Sequence, residues 1–495
     1  NSSETMDFIE EPWTIIESYF KNKHLEQLVR HQLESYNEFV NVQLIKTIEM
    51  FNPVHVVSEQ DYMEEFQKYR LEIDINFKNM SMYRPEIHEN NGATKLMFPN
   101  DARLRNFTYA CNLNVDLDIE YTIRSGEKLE KVKKIKKVLP KIHLGKFPIM
   151  LKSCLCVLNQ YKHMNSTVTN ECHMDPGGYF IINGQEKTCL GQEKAADNKI
   201  YCYKSKKDDK YLCTAEIRCV PDWKVISPKQ TYMMVSSKVV ASGHEVLIQI
   251  PRVKKEIPIF VLFRALGVIS DKDICEKIVL NINNPESQKI LNFMSGSISQ
   301  SNEIMVQDDA IRYITNYVTY TPMNMDKATG TQKKQEFAMD VLENDLFPHC
   351  KTKTEKIHLL GYMVNRICRC CLGLDQEDDR DSYVNKRIET TGVLLNNLFR
   401  NYFNKLVRDM NKQIVREVNN GSWKSNENYT NIITMTNIYK IIKPSTIENG
   451  MKRALATGDF GIKMMNTNKV GVAQVLNRLT YASSISHLRR VNNPI

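Results

Sequence analysis

The sequence predicts a multidomain α+β protein, and three observations carry that expectation. Its 495 residues exceed what one hydrophobic core organises, which sets a prior of roughly two to four domains. Apolar residues recur at helical spacing toward both ends, while β-branched and aromatic clusters bounded by Pro, Gly and Asp occupy the middle. Hydrophobic content of 42% with 25% charged residues is that of a globular chain, so a largely disordered protein is excluded.

Taken in order, the first element runs through Leu25, Leu28, Val29, Leu33, Tyr36, Val40, Leu44 and Ile48, whose spacings of three and four mark one or two amphipathic helices. In DARLRNFTY, Arg103 and Arg105 alternate with apolar neighbours as on a strand edge, available to pair with acidic loops. The run GEKLEKVKKIKKVLPKIHLGK gathers Lys131, Lys133, Lys134, Lys136, Lys137 and Lys141; it can neutralise phosphates, although a solvated face is the commoner reason for a lysine run. GGYFIING reads as a buried strand closed by glycines, with Asn183 and Gly184 making a turn. YLCTAEIRCV, TYMMVSSKVV and EVLIQIPRV read as strands. Two later helices follow, one through Leu360, Met363, Ile367 and Cys371, the other through Leu395, Leu398, Tyr402, Leu406 and Met410. Helices therefore bracket a strand-bearing middle, and no repeat of solenoid period appears.

Several chemistries find no support. Cys368, Cys370 and Cys371, like Cys154 and Cys156, lack the two-residue gap of a zinc knuckle, and the pairs Cys172/His173 and His349/Cys350 have no second pair at ligand spacing. No metal site is expected in this chain. Thirteen cysteines without a targeting signal are expected to be reduced thiols in an intracellular protein. No phosphate-binding Gly-Lys loop, dinucleotide fingerprint or nucleophile elbow occurs. The acidic run from Asp375 to Asp381 contains Arg380, which favours a solvated or salt-bridged loop over a magnesium site. No run approaches a membrane span, and no membrane partner is expected. Lys+Arg 67 against Asp+Glu 58 gives +9, a balance that admits a polyanionic partner without establishing one.

The last stretch is sharper. GDFGIKMMNTNKVGVAQVLNRLTYASSISHLRR places a polar, lysine-bearing loop before a short helix and an arginine pair, and Gln, Asn, Ser, Lys and Arg at such a junction are the donors that phosphate and ribose oxygens need. The chain opens on Asn1 rather than methionine and stops inside RRVNNPI, so a processed start and an artificial or spliced end at Ile495 are expected.

Six segments carry a resemblance: NGATKLMFPNDARLRNFTYA, LGKFPIMLKS, DPGGYFIINGQEK, IPIFVLFRALG, DDRDSYVNKRIETTGVLL and ALATGDFG with VGVAQVLNRLTYASSISHLRRVNNPI. In that order they resemble motifs of the second-largest subunit of multisubunit DNA-dependent RNA polymerases, the eukaryotic and large-DNA-virus members above all, with the bacterial β subunit a more distant counterpart. The resemblance implies an N-terminal half of that subunit. After a lead-in over 1–24, residues 25–194 would form the protrusion domain, 195–386 an inserted lobe, 387–445 the return of the protrusion, and 446–495 a truncated fork.

The fork of this family lies near the RNA–DNA hybrid, and its bacterial counterpart lines the rifamycin pocket beside nascent RNA. On that resemblance Lys463, Lys469, Gln474, Arg489 and Arg490 are the candidate nucleic-acid-binding residues. Adjacent side chains rarely face one way, so one of Arg489 and Arg490 is expected to anchor the segment and the other to reach nucleic acid. Lys469 precedes Val470 where the family usually has an arginine, which would turn a bidentate phosphate contact into a point charge. The resemblance further implies no catalytic residue here, Mg2+ held by the largest subunit of the assembled enzyme, and no cofactor on this chain. Expected partners are the largest and smaller polymerase subunits, template DNA and the RNA–DNA hybrid. The expected setting is the nucleus, or a cytoplasmic virus factory or virion. A free-standing nucleic-acid-binding or assembly protein derived from this subunit is the other reading.

Overall fold

Long strands dominate the first part of the protein because its sequence alternates apolar and polar residues over unusual lengths. In the computed structural model, which describes residues 12–21, 25–206, 209–224, 226–324, 326–461 and 469–493, the strands Val54–Val57, Leu71–Tyr83, Ala110–Ser125 and Lys131–Pro148 form one antiparallel sheet in that order. Within Ala110–Ser125, Leu113, Val115, Leu117, Ile119 and Tyr121 are all buried, at every second position. The chain divides into two compact units, one built from residues up to Lys194 and again from Ile388 onward, the other from Ala195–Arg387. The architecture is α+β.

In the first unit, the buried face of the sheet and the helix Thr391–Asn420 share one core. That helix turns Leu395, Leu398, Phe403, Leu406, Met410 and Ile414 inward, and Phe403 sits 5.2 Å from the ring of Phe77 and 5.0 Å from that of Phe51. The predicted first helices are Arg30–Glu38 and Leu44–Met50, joined through a π-helical turn at Phe39–Gln43. The lysine run lies on Lys131–Pro148, the edge strand, with Lys134 and Lys136 facing Glu120. Lys137 is the exception, donating to the carbonyls of Thr430 and Ile433 at 2.7 and 2.8 Å.

Phe180–Ile182 and Gln185–Cys189 form the hairpin read from GGYFIING, with Asn183 and Gly184 at φ +52° and +81°. Arg103 and Arg105 differ from expectation: they belong to the end of the helix Pro99–Leu104, not to a strand. Pro99 presets the first helical turn, and the Asp101 carboxylate accepts from the Phe98 N–H, so the helix start outweighs the alternation.

The second unit carries a five-stranded antiparallel sheet in the order Ile200–Lys204, Tyr211–Cys219, Lys229–Val240, Gly243–Gln249 and Ile257–Pro258. The helix Lys353–Cys371 shares a core with it through Leu360, Met363, Ile367 and Cys368. Cys370 rather than Cys371 completes the apolar stripe, Cys371 being half-buried. The middle also holds more helix than its composition suggested, including Asp271–Val279, Gln307–Asn316 and Lys327–Asp340. The acidic run is salt-bridged: Asp378 pairs with Arg366 at 3.1 Å, Asp375 with Arg369 at 3.1 Å, and Arg380 with Glu216 at 2.6 Å. All thirteen cysteines are free thiols, and no helix among the described residues is long and apolar enough to cross a membrane.

Gly392 is where the return helix meets the first helices most closely. Its N–H donates to the Ser35 hydroxyl at 2.8 Å, and a Cβ there would run into the Ser35 carbonyl oxygen and lie 2.6 Å from its hydroxyl. Gly392→Ala is predicted to destabilise the first unit by about 1–3 kcal/mol, the usual cost of overpacking. Urea unfolding followed by circular dichroism measures this, and an unchanged midpoint contradicts it.

Candidate nucleic-acid interface

The last described segment is built onto the hairpin. Gly458, at φ +77°, ends the helix Ser445–Thr457 in the left-handed conformation that lets the backbone turn. After the loop, Ala473–Val475 adds as a third strand to Gln185–Cys189, pairing Lys187 with Val475, Thr188 with Gln474 and Cys189 with Ala473. Backbone bonds extend the seam, from Leu190 N–H to Val472 at 2.8 Å and from Leu476 N–H to Glu186 at 2.9 Å. Thr480 then caps the helix Tyr481–Leu488 in a reciprocal box with Ser483, both bonds being 3.0 Å.

His487 on that helix orients Gln474. The Asn477 backbone N–H can only donate, and it does so to His487 Nδ1 at 3.1 Å, so the proton of the neutral ring sits on Nε2. Nε2–H then donates to Gln474 Oε1 at 3.0 Å, which leaves the amide nitrogen turned toward the Gly471 carbonyl at 3.4 Å. Burial lowers the pKa of His487, and the neighbouring Arg490 charge lowers it further.

The two arginines behave differently. Arg489 Nη1 donates to the Leu28 carbonyl at 2.9 Å, which ties the segment to the first helical region through an exposed side chain rather than a buried ion pair. Arg490 is exposed and has no side-chain partner among the described residues. Both line a cleft of about 380 Å³ with His31, Gln32 and Thr391. The pKa of His31 is lowered by burial and by Arg489, against the Leu488 carbonyl at 3.2 Å, which raises it. Lys469 forms an ion pair with Glu389, a buried carboxylate that also meets Lys194 at 3.3 Å. Lys463 lies outside the described residues.

Sequence reasoning missed two organising groups. One is Gln32, only 2% exposed, whose Nε2 donates to the Cys189 carbonyl at 2.8 Å and the Leu488 carbonyl at 3.2 Å, while its Oε1 accepts from the Thr391 hydroxyl. The other is Arg478. It grips Glu186 with two bonds of 3.0 and 2.7 Å, reaches Asp175 at 3.3 Å and stacks 5.0 Å over Tyr179. Arg103 holds the other side of this cluster, 2.6 Å from Glu171 and 2.7 Å from the Tyr179 hydroxyl, which itself donates to Asp175 at 2.5 Å. Burial works to lower the pKa of Arg478, and Glu186, Tyr179 and Asp175 together outweigh burial and raise it. No local pattern marks either residue, because each finds partners hundreds of positions away.

Taken together, these residues form a scaffold that fixes a basic, amide-bearing segment against its own core; no group of three or more His, Cys, Asp or Glu placed to hold a metal ion occurs among the described residues. Residues 27–443 match the family model described as RNA polymerase beta subunit, and the chain belongs to that family. It is 35% identical over 498 residues to DNA-directed RNA polymerase II subunit 2 of Arabidopsis thaliana, covering 98% of this chain and 40% of that relative. It is 34% identical to subunit RPB2 of Schizosaccharomyces pombe, of which it covers 39%. With subunit Rpo2N of Methanothermobacter thermautotrophicus identity is 27%, over 98% of this chain and 86% of that relative. The chain thus spans about 40% of the length of the eukaryotic relatives and corresponds to their N-terminal part.

The His487 geometry makes a pH prediction. Its folded pKa lies below the ordinary 6.5, so below that pH the unfolded chain binds more protons and stability falls as the pH drops, until the folded-state pKa is passed. Each such histidine contributes a slope of at most about 1.4 kcal/mol per pH unit. Denaturation midpoints measured from pH 7.5 to 5.5 should fall more steeply for the native chain than for His487→Gln. Identical slopes contradict the assignment.

Proposed function

We propose that this chain is part of the second-largest subunit of a DNA-directed RNA polymerase and contributes to the cleft that holds the RNA–DNA hybrid during template-directed RNA synthesis. The observation that carries the reading is the alignment of 98% of the chain with polymerase second subunits, together with an exposed Arg490 whose charge is felt by His487, the residue that orients Gln474. On this reading the unit Ala195–Arg387 is the lobe, inserted into a protrusion built from the other unit, and the segment from residue 446 is the fork. Catalysis belongs to the assembled enzyme, with Mg2+ on the largest subunit, and this chain alone is inactive. Its partners are the largest and smaller subunits, template DNA and the hybrid. The eukaryotic relatives support a nuclear setting.

Within that role the candidate residues divide by what they already bind. Arg490 is the phosphate contact and Gln474 a polar contact to the hybrid, with Lys463 a fork-loop contact. Arg489 is the anchor. Lys469 reaches nucleic acid only by exchanging Glu389 for a phosphate, so its contribution is smaller than that of Arg490.

Dissociation of reconstituted elongation complexes across a salt series tests this. Arg490→Ala should reduce the slope of log K against log salt by about one unit, the contribution of one phosphate contact. Arg489→Ala should leave the slope unchanged and reduce assembly yield instead. An unchanged slope for Arg490→Ala, with dissociation of the Gln474→Ala complex equal to that of the native chain at every salt concentration, would overturn the proposed interface.

A further inference from the structure

The second unit contains a pocket that the proposed role does not use. It has a volume of about 320 Å³, within the range of ligand-binding clefts. Its apolar wall comes from Leu266, Leu342 and Met339, the first two buried and the last 37% exposed, so hydrocarbon is open to solvent at its mouth. Four lysines surround this wall, Lys224, Lys351, Lys353 and Lys356, while Glu343 is the one carboxylate among the lining residues. None of the four lysines makes an ion pair among the described residues.

Two of these ammonium groups are held in place. Lys356, 5% exposed, donates to the carbonyls of Leu342 and Glu343, and burial lowers its pKa. Lys224 donates to Asn344 at 2.8 Å and lies 4.4 Å from the centre of the Trp223 ring. Lys351 and Lys353 are exposed at the start of the helix Lys353–Cys371. The nearby Glu355 carboxylate is occupied, accepting from the Lys351 and Thr352 N–H groups at 2.8 and 3.5 Å. Preorganised cations around an exposed apolar wall lose little freedom when an anion arrives.

We propose that this pocket docks an acidic peptide segment of a partner protein, with one apolar side chain inserted against Leu266, Leu342 and Met339 and its carboxylates on the exposed Lys351 and Lys353, within the positive field of Lys224 and Lys356. The occupant follows from charge and shape. Four lysines against one glutamate call for a polyanion, and the apolar wall calls for a side chain that a phosphate backbone does not have. Lys224 occupies one face of Trp223, so the ring is a poor platform for a stacked base. The surface is also a compact pocket with an open mouth rather than the extended basic groove that follows a nucleic-acid strand.

The test uses the full chain and a fluorescein-labelled twelve-residue probe of aspartate and glutamate with one central phenylalanine, read by polarisation. The same peptide with alanine in place of phenylalanine, and a single-stranded RNA of twelve nucleotides, serve as comparisons. The phenylalanine peptide is expected to bind at least about tenfold more tightly than the alanine peptide, and to lose about tenfold or more in both the Lys351→Glu/Lys353→Glu double variant and Met339→Asp. RNA is expected neither to displace the peptide from this pocket nor to respond to Met339→Asp. Equal affinity for the two peptides overturns the proposal without any change to the protein. Insensitivity to Met339→Asp, or competition by the RNA for the same site, would make the pocket a general polyanion patch and overturns it as well.

Discussion

A single buried carboxamide holds together parts of the chain that lie far apart in sequence. Gln32 stands on the first helices, and its three hydrogen bonds go to the hairpin at Cys189, to the last helix at Leu488 and to the start of the return helix at Thr391. Both of its N–H groups and its oxygen are used, which is what an amide at 2% exposure requires. Its Cys189 and Thr391 partners are buried, and it shares the Leu488 carbonyl with His31, so the position is a constraint more than a source of net stabilisation. The final helix meets this donor through its Leu488 carbonyl, beside the His31 bond to the same oxygen and the Arg489 bond to Leu28. The placement of Arg489, Arg490 and His487 follows from that.

A second layer of polar contacts decides which cations remain open. Arg478 is spent on Glu186 and Asp175, Arg489 on the Leu28 carbonyl, and Lys469 on Glu389. Arg490 keeps its charge for solvent or a ligand. Among the described residues of this segment, Arg478, Arg489 and Lys469 are paired internally and Arg490 is left exposed, so the register is set by the segment's own core. A merely basic tail would present all of them and fix none.

Much of this fold was legible in the sequence where burial is periodic. The spacing from Leu25 to Ile48 marked the first helices, GGYFIING marked the hairpin, and TYMMVSSKVV marked a strand that the structure runs from Lys229 to Val240. The reading failed where periodicity does not report burial. Lys327–Asp340 buries only Gly330 and Ala338, so it shows no apolar stripe to recognise, and the alternation around Arg103 yields to a helix start at Pro99. For the candidate interface, the donor-rich composition of the last stretch was readable. The pairing of Lys469 with Glu389 and of Arg478 with Glu186 was not, since both join residues 80 or more positions apart and neither carries a local signature.

The central claim is that Gln32 fixes the last segment, and amide hydrogen exchange on Gln32→Leu tests it most directly. Leucine approximates the side-chain volume while removing the partner of the Cys189 carbonyl and the Thr391 hydroxyl, at a cost of about 1–3 kcal/mol for each buried group, and leaving the Leu488 carbonyl to His31 alone. The account predicts a loss of protection concentrated in residues 473–489 and at Leu190, with the amides of the long strands Leu71–Tyr83 and Ala110–Ser125 unchanged. Protection of 473–489 equal to that of the native chain would contradict it.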